Sequence, residues 1–129
     1  MDPITDACIV GGGPAGMMLG LILARRGVSV TLLEAHADFD RDFRGDTLHP
    51  GALEIVEHLG LAEALHRLPH HKAHSFSIPT PDGPVEFVDF RRVGGMRFPY
   101  VMLVAQSRFL DLLAAEAGRY PHFRLVMRA

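Results

Sequence analysis

Hydrophobic and polar residues in the first part of the chain predict a strand, a turn, a helix and a second strand in that order. The apolar run 7–10 is typical of a strand buried in a parallel sheet. A nearly continuous apolar stretch over 15–26 predicts a helix, and Gly27 follows where glycine often ends helices. The β-branched run 28–33 predicts the second strand, which ends at the acidic Glu34. The pattern therefore predicts a βαβ unit.

A glycine-rich turn joins the first strand to the first helix. Gly11, Gly13 and Gly16 stand at the first, third and sixth positions of a G-x-G-x-x-G pattern. We expect them to turn the chain, to open the backbone to a pyrophosphate and to let the helix approach the sheet. Pro14 suits the first turn of this helix, whose free N–H groups and positive dipole end attract an anion. Glu34 follows about 20 residues on, where a carboxylate accepts hydrogen bonds from a ribose.

The rest of the chain alternates between helical and strand-like periods. Parallel strands near positions 7, 29 and 123 are few for such a sheet, and the hairpin has no predicted sheet to join, so we expect a truncated chain. The predicted fold class is α/β, a Rossmann-like three-layer dinucleotide-binding fold that is incomplete and carries an inserted antiparallel β-hairpin. The further predicted elements are two helices over 50–68 broken at Gly60, a hairpin over 74–90, a strand-like run over 98–104, a helix over 106–118 and a strand over 123–127.

Composition excludes several classes of function. The chain has 129 residues, with 13 basic and 15 acidic side chains and a net charge of -2, so no basic surface for nucleic acid is implied. Its single cysteine, Cys8, lies in the first apolar run and is expected to be a small buried hydrophobe. The lack of a disulfide framework favours a reducing, cytoplasmic location. The glycine turn interrupts the apolar N-terminal stretch, which argues against a signal peptide and a membrane span.

A histidine cluster follows the second helical stretch. His70, His71 and His74 stand close together, but no carboxylate or cysteine joins them at a spacing typical of a metal site. We therefore interpret this segment as a linker from helix to strand, and we expect no metal.

Arg44 is the candidate ligand contact in the polar segment 35–50, which follows the second strand. Ligands of open α/β sheets bind beyond the carboxyl ends of the strands, so this guanidinium can reach a phosphate or the edge of a bound ring system. The alternative is a solvated loop arginine that pairs with Asp40 or Asp42.

Several features occur in an order and at spacings shared with one enzyme family. They are the motif VGGGPAG at 10–16, Glu34, the segment 43–48 leading into 51–55, and the segment 100–106 leading into 109–110. In these features, which span nearly all of the chain, it resembles the N-terminal part of the class A flavoprotein monooxygenases. These are the FAD-dependent aromatic hydroxylases of the para-hydroxybenzoate hydroxylase type.

The resemblance implies an FAD enzyme that uses NAD(P)H and O2 to hydroxylate a small aromatic substrate. It implies that the three motif glycines seat the pyrophosphate, Glu34 the adenosine ribose, and Gln106 the ribityl-flavin portion, with Arg44 approaching the pyrophosphate or the flavin. It divides the chain into an FAD-binding part, 1–72, a hairpin of a substrate domain, 73–97, and a return to the FAD-binding part, 98–129. The implied cofactor-binding residues are Gly11, Gly13, Pro14, Ala15, Gly16, Glu34, Ala35, Arg44 and Gln106.

Two other functions stay open at this point. The later Gly-Asp and Asp-Gly motifs of the family are absent, which leaves an isolated, non-catalytic dinucleotide-binding fragment as one alternative. An NAD-dependent dehydrogenase is the weaker one, since the Arg44 loop and the inserted hairpin are not needed in a plain alternating β/α domain. No residue is assigned as a catalytic acid, base or nucleophile.

Overall fold

A computed structural model describes residues 4–40 and 47–129. The chain divides into two compact units, which we call the parallel unit (1–44 and 106–129) and the antiparallel unit (45–105). In chain order the elements are β1 (Ala7–Val10), α1 (Pro14–Arg25), β2 (Val30–Glu34), β3 (Thr47–Leu48), α2 (Pro50–His58), α3 (Ala62–Arg67), β4 (His70–Ala73), β5 (Ser75–Ile78), β6 (Val85–Asp89), a 3-10 turn (Phe90–Arg92), β7 (Val101–Val104), α4 (Gln106–Ala117) and β8 (Phe123–Met127).

The parallel unit is built on a three-stranded parallel sheet in the order β1-β2-β8. Helix α1 packs on one face of this sheet and also against α4. The helix approaches closely at Gly20, where a Cβ atom would lie 2.9 Å from the Phe123 ring and 3.5 Å from Leu32. The buried residues of the two helices are Met17, Gly20, Leu21 and Ala24 in α1 and Phe109, Leu110, Leu113 and Ala117 in α4.

Helix α1 ends as its sequence predicts. Gly27 adopts a φ of +81° just beyond the C-cap, which is the left-handed conformation that glycine takes without steric cost. Its N–H donates to the Ala24 carbonyl at 3.0 Å, and the Val28 N–H donates to the Leu23 carbonyl at 3.1 Å. This pair of bonds is a Schellman motif, and it aims the chain back toward β2.

The prediction that Cys8 is buried is wrong, because its side chain is exposed. Successive strand residues point to opposite faces, and Ile9 faces α1, so Cys8 and Val10 lie on the other face. The described residues leave that face of β1 uncovered, and Val10 is 82% exposed. Strand β1 also pairs with β2 alone among the described strands. An apolar run thus forms an edge strand with one open face.

The antiparallel unit contains a second sheet with β7 at its centre. Strands β3 and β4 flank β7, and both pair with it in antiparallel orientation. The interpretation of the histidine cluster as a linker is therefore wrong, since His70 to Ala73 form β4. Their side chains carry no alternation of apolar and polar character, so the strand depends on backbone pairing to β7, which the sequence pattern does not show.

The predicted hairpin is confirmed as β5 and β6, which pair antiparallel with an irregularity between Phe76 and Ser77. Reciprocal backbone hydrogen bonds between Thr80 and Gly83, at 3.0 and 3.1 Å, close its turn. Its apolar side chains are exposed in the structure: Phe76, Ile78, Val85 and Phe87. The two helices predicted over 50–68 and the helix and strand at the end of the chain are also present, as α2, α3, α4 and β8.

None of the described helices is both long and apolar enough to cross a membrane.

Candidate dinucleotide-binding site

The turn between β1 and α1 has the conformation that its glycines allow. Gly11 adopts a φ of +108°, which turns the chain off the strand, and its N–H donates to the Leu33 carbonyl of β2 at 2.8 Å. A Cβ atom on Gly16 would lie 2.0 Å from the carbonyl oxygen of Gly11, so the helix can start this close to the turn only with glycine there. A Cβ on Gly13 meets no described atom within 4 Å, which leaves that backbone open.

The first turn of α1 is suited to an anion. Pro14 is its first residue and has no N–H, and the first helical hydrogen bond runs from the Met17 N–H to the Gly13 carbonyl at 2.9 Å. The N–H groups of Ala15 and Gly16 therefore lie before the first backbone hydrogen bond of the helix. No side chain of the described residues caps this end, and no acidic residue lies in the first turn. The N–H groups and the helix dipole can therefore hold a phosphate without a lysine.

Glu34 lies at the C-terminal end of β2 and its side chain is 3% exposed. Its Oε2 accepts a hydrogen bond from the Gly12 N–H at 2.7 Å. Its Oε1 accepts from the backbone N–H of His36 at 2.8 Å and lies 2.6 Å from Nδ1 of the His36 ring. These donors favour the ionised carboxylate in a buried position, where an unpartnered charge is costly.

Gly12 is a site residue that the sequence analysis missed. A Cβ atom on Gly12 would lie 2.8 Å from Oε2 of Glu34 and 3.1 Å from its Cβ. A side chain at this position would therefore push the carboxylate away from the turn. The G-x-G-x-x-G pattern allows any residue at its second position. Glycine fits here because Glu34 packs against it.

A cavity of about 350 Å³ lies at the carboxyl ends of β1 and β2. It brings three predicted site residues, Gly11, Glu34 and Ala35, onto one surface. Ligands of open α/β sheets bind in this position. The other lining residues are Val10, Leu33, His36 and Ala129.

Ala129 reaches the cavity because the chain continues past β8 alongside β2. Its N–H donates to the Glu34 carbonyl at 3.0 Å, and the Arg128 N–H donates to the His36 carbonyl at 3.1 Å. Arg128 adopts a φ of +58°. No sequence signal marks these residues, since their place depends on the pairing of β8 with β2.

The remaining predicted residues fall in different places. Pro14 and Ala15 begin α1 beside the glycine turn, and Gln106 is the first residue of α4 but does not line the cavity. Arg44 and Asp42 lie outside the described residues. Within the described residues, no group of three or more histidine, cysteine or acidic side chains is arranged to hold a metal ion.

The parallel βαβ fold, the glycine turn at a helix N-terminus and the acid at the end of the next strand define a dinucleotide-binding domain of the Rossmann type. More specifically, the chain belongs to the FAD binding domain family, whose model matches residues 4–128.

Individual relatives agree with this assignment. The chain is 36% identical to 6-methylpretetramide 4-monooxygenase of Streptomyces rimosus over 121 residues, which is 92% of this chain and 28% of that protein. The crystal structure of p-nitrophenol 4-monooxygenase PnpA from Pseudomonas putida DLL-E4 superposes with a TM-score of 0.84 at 21% identity, covering 99% of this chain and 33% of PnpA. The myxobacterial chondrochloren halogenase CndH superposes with a TM-score of 0.81 at 28% identity, covering 96% of this chain and 28% of CndH.

The chain thus spans about a third or less of the length of these proteins. The comparisons confirm the α/β fold class and the resemblance to the N-terminal part of FAD-dependent monooxygenases that the sequence predicted.

Proposed function

We propose that this chain is the N-terminal FAD-binding portion of a flavin-dependent monooxygenase that hydroxylates an aromatic or related small molecule with NAD(P)H and O2. The observation that carries the proposal is the cavity that joins the glycine turn to the buried Glu34. A dinucleotide needs both of these features, an anion cradle for its pyrophosphate and a carboxylate for its ribose.

Each proposed contact follows from a group that the structure describes, with one exception. The N–H groups of Ala15 and Gly16 donate to the pyrophosphate, and the bare backbone of Gly13 lets it approach. Glu34 accepts hydrogen bonds from the adenosine ribose. By resemblance, Gln106 contacts the ribityl-flavin portion, and Arg44, which lies outside the described residues, approaches the pyrophosphate or the flavin.

FAD, when bound, supplies the redox chemistry that passes electrons from NAD(P)H to O2. The part of this chain is to bind and orient the cofactor. The order of its elements supports this role, because the glycine turn and the acid both stand at the carboxyl edge of one sheet.

The class of substrate is proposed from the relatives. Two of the proteins described above are monooxygenases that are named for 6-methylpretetramide and p-nitrophenol. The exposed hairpin side chains support assigning 73–97 to a substrate domain, between FAD-binding parts at 1–72 and 98–129. The single cysteine supports a cytoplasmic location.

A flavin-dependent halogenase is a second candidate, because CndH is a halogenase with 28% identity to this chain. The two reactions differ in their products, since hydroxylation inserts an oxygen atom and halogenation replaces a hydrogen atom of the substrate with a halogen atom. Mass spectrometry of the products formed with and without bromide separates them. A brominated product would overturn the monooxygenase assignment.

The cofactor is tested by titrating the purified protein with FAD and recording flavin fluorescence and absorbance. We expect saturable binding of FAD, and weaker binding of NAD. Tighter binding of NAD than of FAD would favour a dehydrogenase instead.

Activity is tested next, by NADPH or NADH oxidation under air with a panel of phenols. Consumption that depends on the phenol supports the monooxygenase. FAD binding without any consumption would favour a dinucleotide-binding module.

A further inference from the structure

We propose that His36 is a positioning residue for the adenosine half of FAD. Its ring N–H holds the buried Glu34 carboxylate in the orientation that receives the ribose. The inference rests on the proposed function, and it assigns a role to a side chain that the glycine motif and the acid do not include.

The hydrogen bond between these side chains has a defined direction. Nδ1 of His36 lies 2.6 Å from Oε1 of Glu34. An ionised carboxylate only accepts hydrogen bonds, so we assign the proton of this contact to Nδ1. Glu34 thereby selects the tautomer of the ring, and the ring in turn restrains one carboxylate oxygen. Paired restraints of this kind orient metal-bound histidines and other site residues.

The two oxygens of Glu34 are held from different sides. The Gly12 N–H holds Oε2 at 2.7 Å from the glycine turn, and the backbone N–H of His36 donates to Oε1 at 2.8 Å. Both of these donors belong to the main chain and remain in almost any variant. The imidazole is a side-chain donor, so sequence can change it without changing the turn.

Exposure separates a positioning role from a packing role. The His36 side chain is 61% exposed, whereas that of Glu34 is 3% exposed. Truncating an exposed ring removes little packing, so its effect on the free energy of unfolding is expected to be small. His36 also lines the cavity next to Glu34, which places the ring beside the proposed ribose position. If truncating His36 lowers the affinity for FAD but not the free energy of unfolding, the loss is therefore due to the orientation of the Glu34 carboxylate.

The test compares FAD binding by the wild-type chain, His36→Ala and His36→Asn. Asparagine places an amide N–H close to the position of Nδ1, so it restores the donor without an imidazole. We expect His36→Ala to weaken FAD binding about tenfold, in line with the loss of one charge-assisted hydrogen bond, and His36→Asn to stay within about threefold of wild type. Thermal melts of the cofactor-free proteins should agree within a few degrees.

His58→Ala is the matched control. Nδ1 of His58 makes a hydrogen bond to a backbone carbonyl, that of Glu54, at 2.8 Å, on an exposed part of α2. His58→Ala removes the same side-chain atoms as His36→Ala. It also removes a hydrogen bond of the ring, but one that does not involve Glu34. We expect FAD affinity to be unchanged.

A second experiment tests whether His36 affects binding of the ribose hydroxyls. ADP and 2′,3′-dideoxy-ADP are titrated into wild type and His36→Ala, which forms a double-mutant cycle between ring and hydroxyls. We expect the loss of the hydroxyls to cost about tenfold in wild type and clearly less in His36→Ala, since the carboxylate is then less well oriented. Additive losses would overturn the inference.

The outcomes separate this inference from the proposed function. If wild type binds neither FAD nor ADP, both are overturned. If wild type binds FAD but His36→Ala binds it equally well or more tightly, the positioning role is overturned and the FAD site stands. If His36→Ala does not fold, His36→Leu deletes the same donor with an apolar replacement, and the comparison with His36→Asn is unchanged.

Discussion

The most constrained contact at the scale of single residues is the one between Gly12 and Glu34. The carboxylate lies against the glycine turn, bonded to the Gly12 N–H at 2.7 Å, and a side chain at position 12 would occupy the same space. The turn and the acid are far apart in sequence and are adjacent because β1 and β2 pair in parallel register. The position of the Glu34 carboxylate, the proposed acceptor for the ribose, thus depends on the lack of a side chain at Gly12.

Replacing Gly12 by alanine is expected to weaken FAD binding. The new Cβ would lie 2.8 Å from Oε2 of Glu34, so the carboxylate must move and loses its bond to the turn. We expect a loss of affinity of at least about tenfold, measured by fluorescence titration with FAD.

Gly51→Ala is the control for this substitution. Gly51 lies in α2, and a Cβ there meets no described atom within 4 Å. Alanine should stabilise the helix by about 0.5–1 kcal/mol and leave FAD binding unchanged. Equal affinity of wild type and Gly12→Ala would show that the bound state does not use this arrangement.

Replacing Glu34 by glutamine tests the charge of the acceptor. The amide keeps the shape of the side chain but loses the charge and turns one acceptor oxygen into a donor that faces the N–H of Gly12 or His36. We expect FAD binding to weaken by about 1–3 kcal/mol, measured by calorimetric titration. An unchanged dissociation constant would remove Glu34 from the proposed site.

At the scale of elements, the position of α1 depends on how closely the helix approaches the end of β1. A Cβ atom on Gly16 would meet the turn, and one on Gly20 would meet side chains of all three strands, those of Ile9, Leu32 and Phe123. The close approach at Gly16 is what directs the first N–H groups of α1 toward the carboxyl edge of the sheet.

Gly16→Ala is therefore expected to destabilise the fold. Its Cβ would lie 2.0 Å from the Gly11 carbonyl oxygen, which is backbone and cannot move aside without opening the turn. We expect the free energy of unfolding to fall by about 3 kcal/mol or more, measured by urea denaturation. A stability within about 0.5 kcal/mol of wild type would contradict this packing.

In the antiparallel unit, a partly buried hydrogen bond joins α3 to the residue before β7. His66 donates from Nδ1 to the Ala62 carbonyl at 2.6 Å and accepts at Nε2 from the Tyr100 hydroxyl at 2.6 Å. Tyr100 is 8% exposed, and burial raises the pKa of its hydroxyl above the ordinary value. The folded state therefore favours the neutral phenol.

This contact predicts a loss of stability in alkali. Because the folded-state pKa of Tyr100 is raised, its contribution is present below pH of about 10 and is lost as the pH rises through the folded-state pKa. We expect the free energy of unfolding to fall more steeply above this pH in wild type than in Tyr100→Phe, measured by urea denaturation at several pH values. Tyr100→Phe should also cost about 1 kcal/mol at pH 8, since the hydrogen bond to His66 is lost. Parallel pH profiles would contradict the assignment.

For the molecule as a whole, ligand binding and folding are coupled. The proposed site takes residues from both ends of the parallel unit, since the glycine turn lies near the start and Ala129 lines the same cavity. A ligand that binds there holds the first and last strands of the sheet together through β2.

FAD is therefore expected to stabilise the folded chain. At a free concentration of 100 times its dissociation constant, a ligand that binds only the folded state adds about 2.7 kcal/mol to the free energy of unfolding. Thermal melts with and without FAD measure this. Riboflavin, which lacks the pyrophosphate and the adenosine, is the control and should give no comparable shift. An equal shift with riboflavin would place the binding site elsewhere.

The sequence by itself determined the order of the elements other than β3 and β4, and it determined the chemistry of the turn. Apolar residues at helical spacing identified α2, α3 and α4, and a period of two residues identified the first strand of the hairpin, because each face repeats within a few positions. The motif glycines and Glu34 could be found because backbone conformation and charge are local properties of the residues.

Tertiary structure alone decided which residues meet. Strand β4 has no apolar alternation and forms by pairing with β7, and Cys8 is exposed because the described residues leave one face of β1 uncovered. Gly12, His36 and Ala129 join the site only when β2 lies between β1 and β8. Strand pairing brings together residues that are distant in sequence, and no local pattern carries that information.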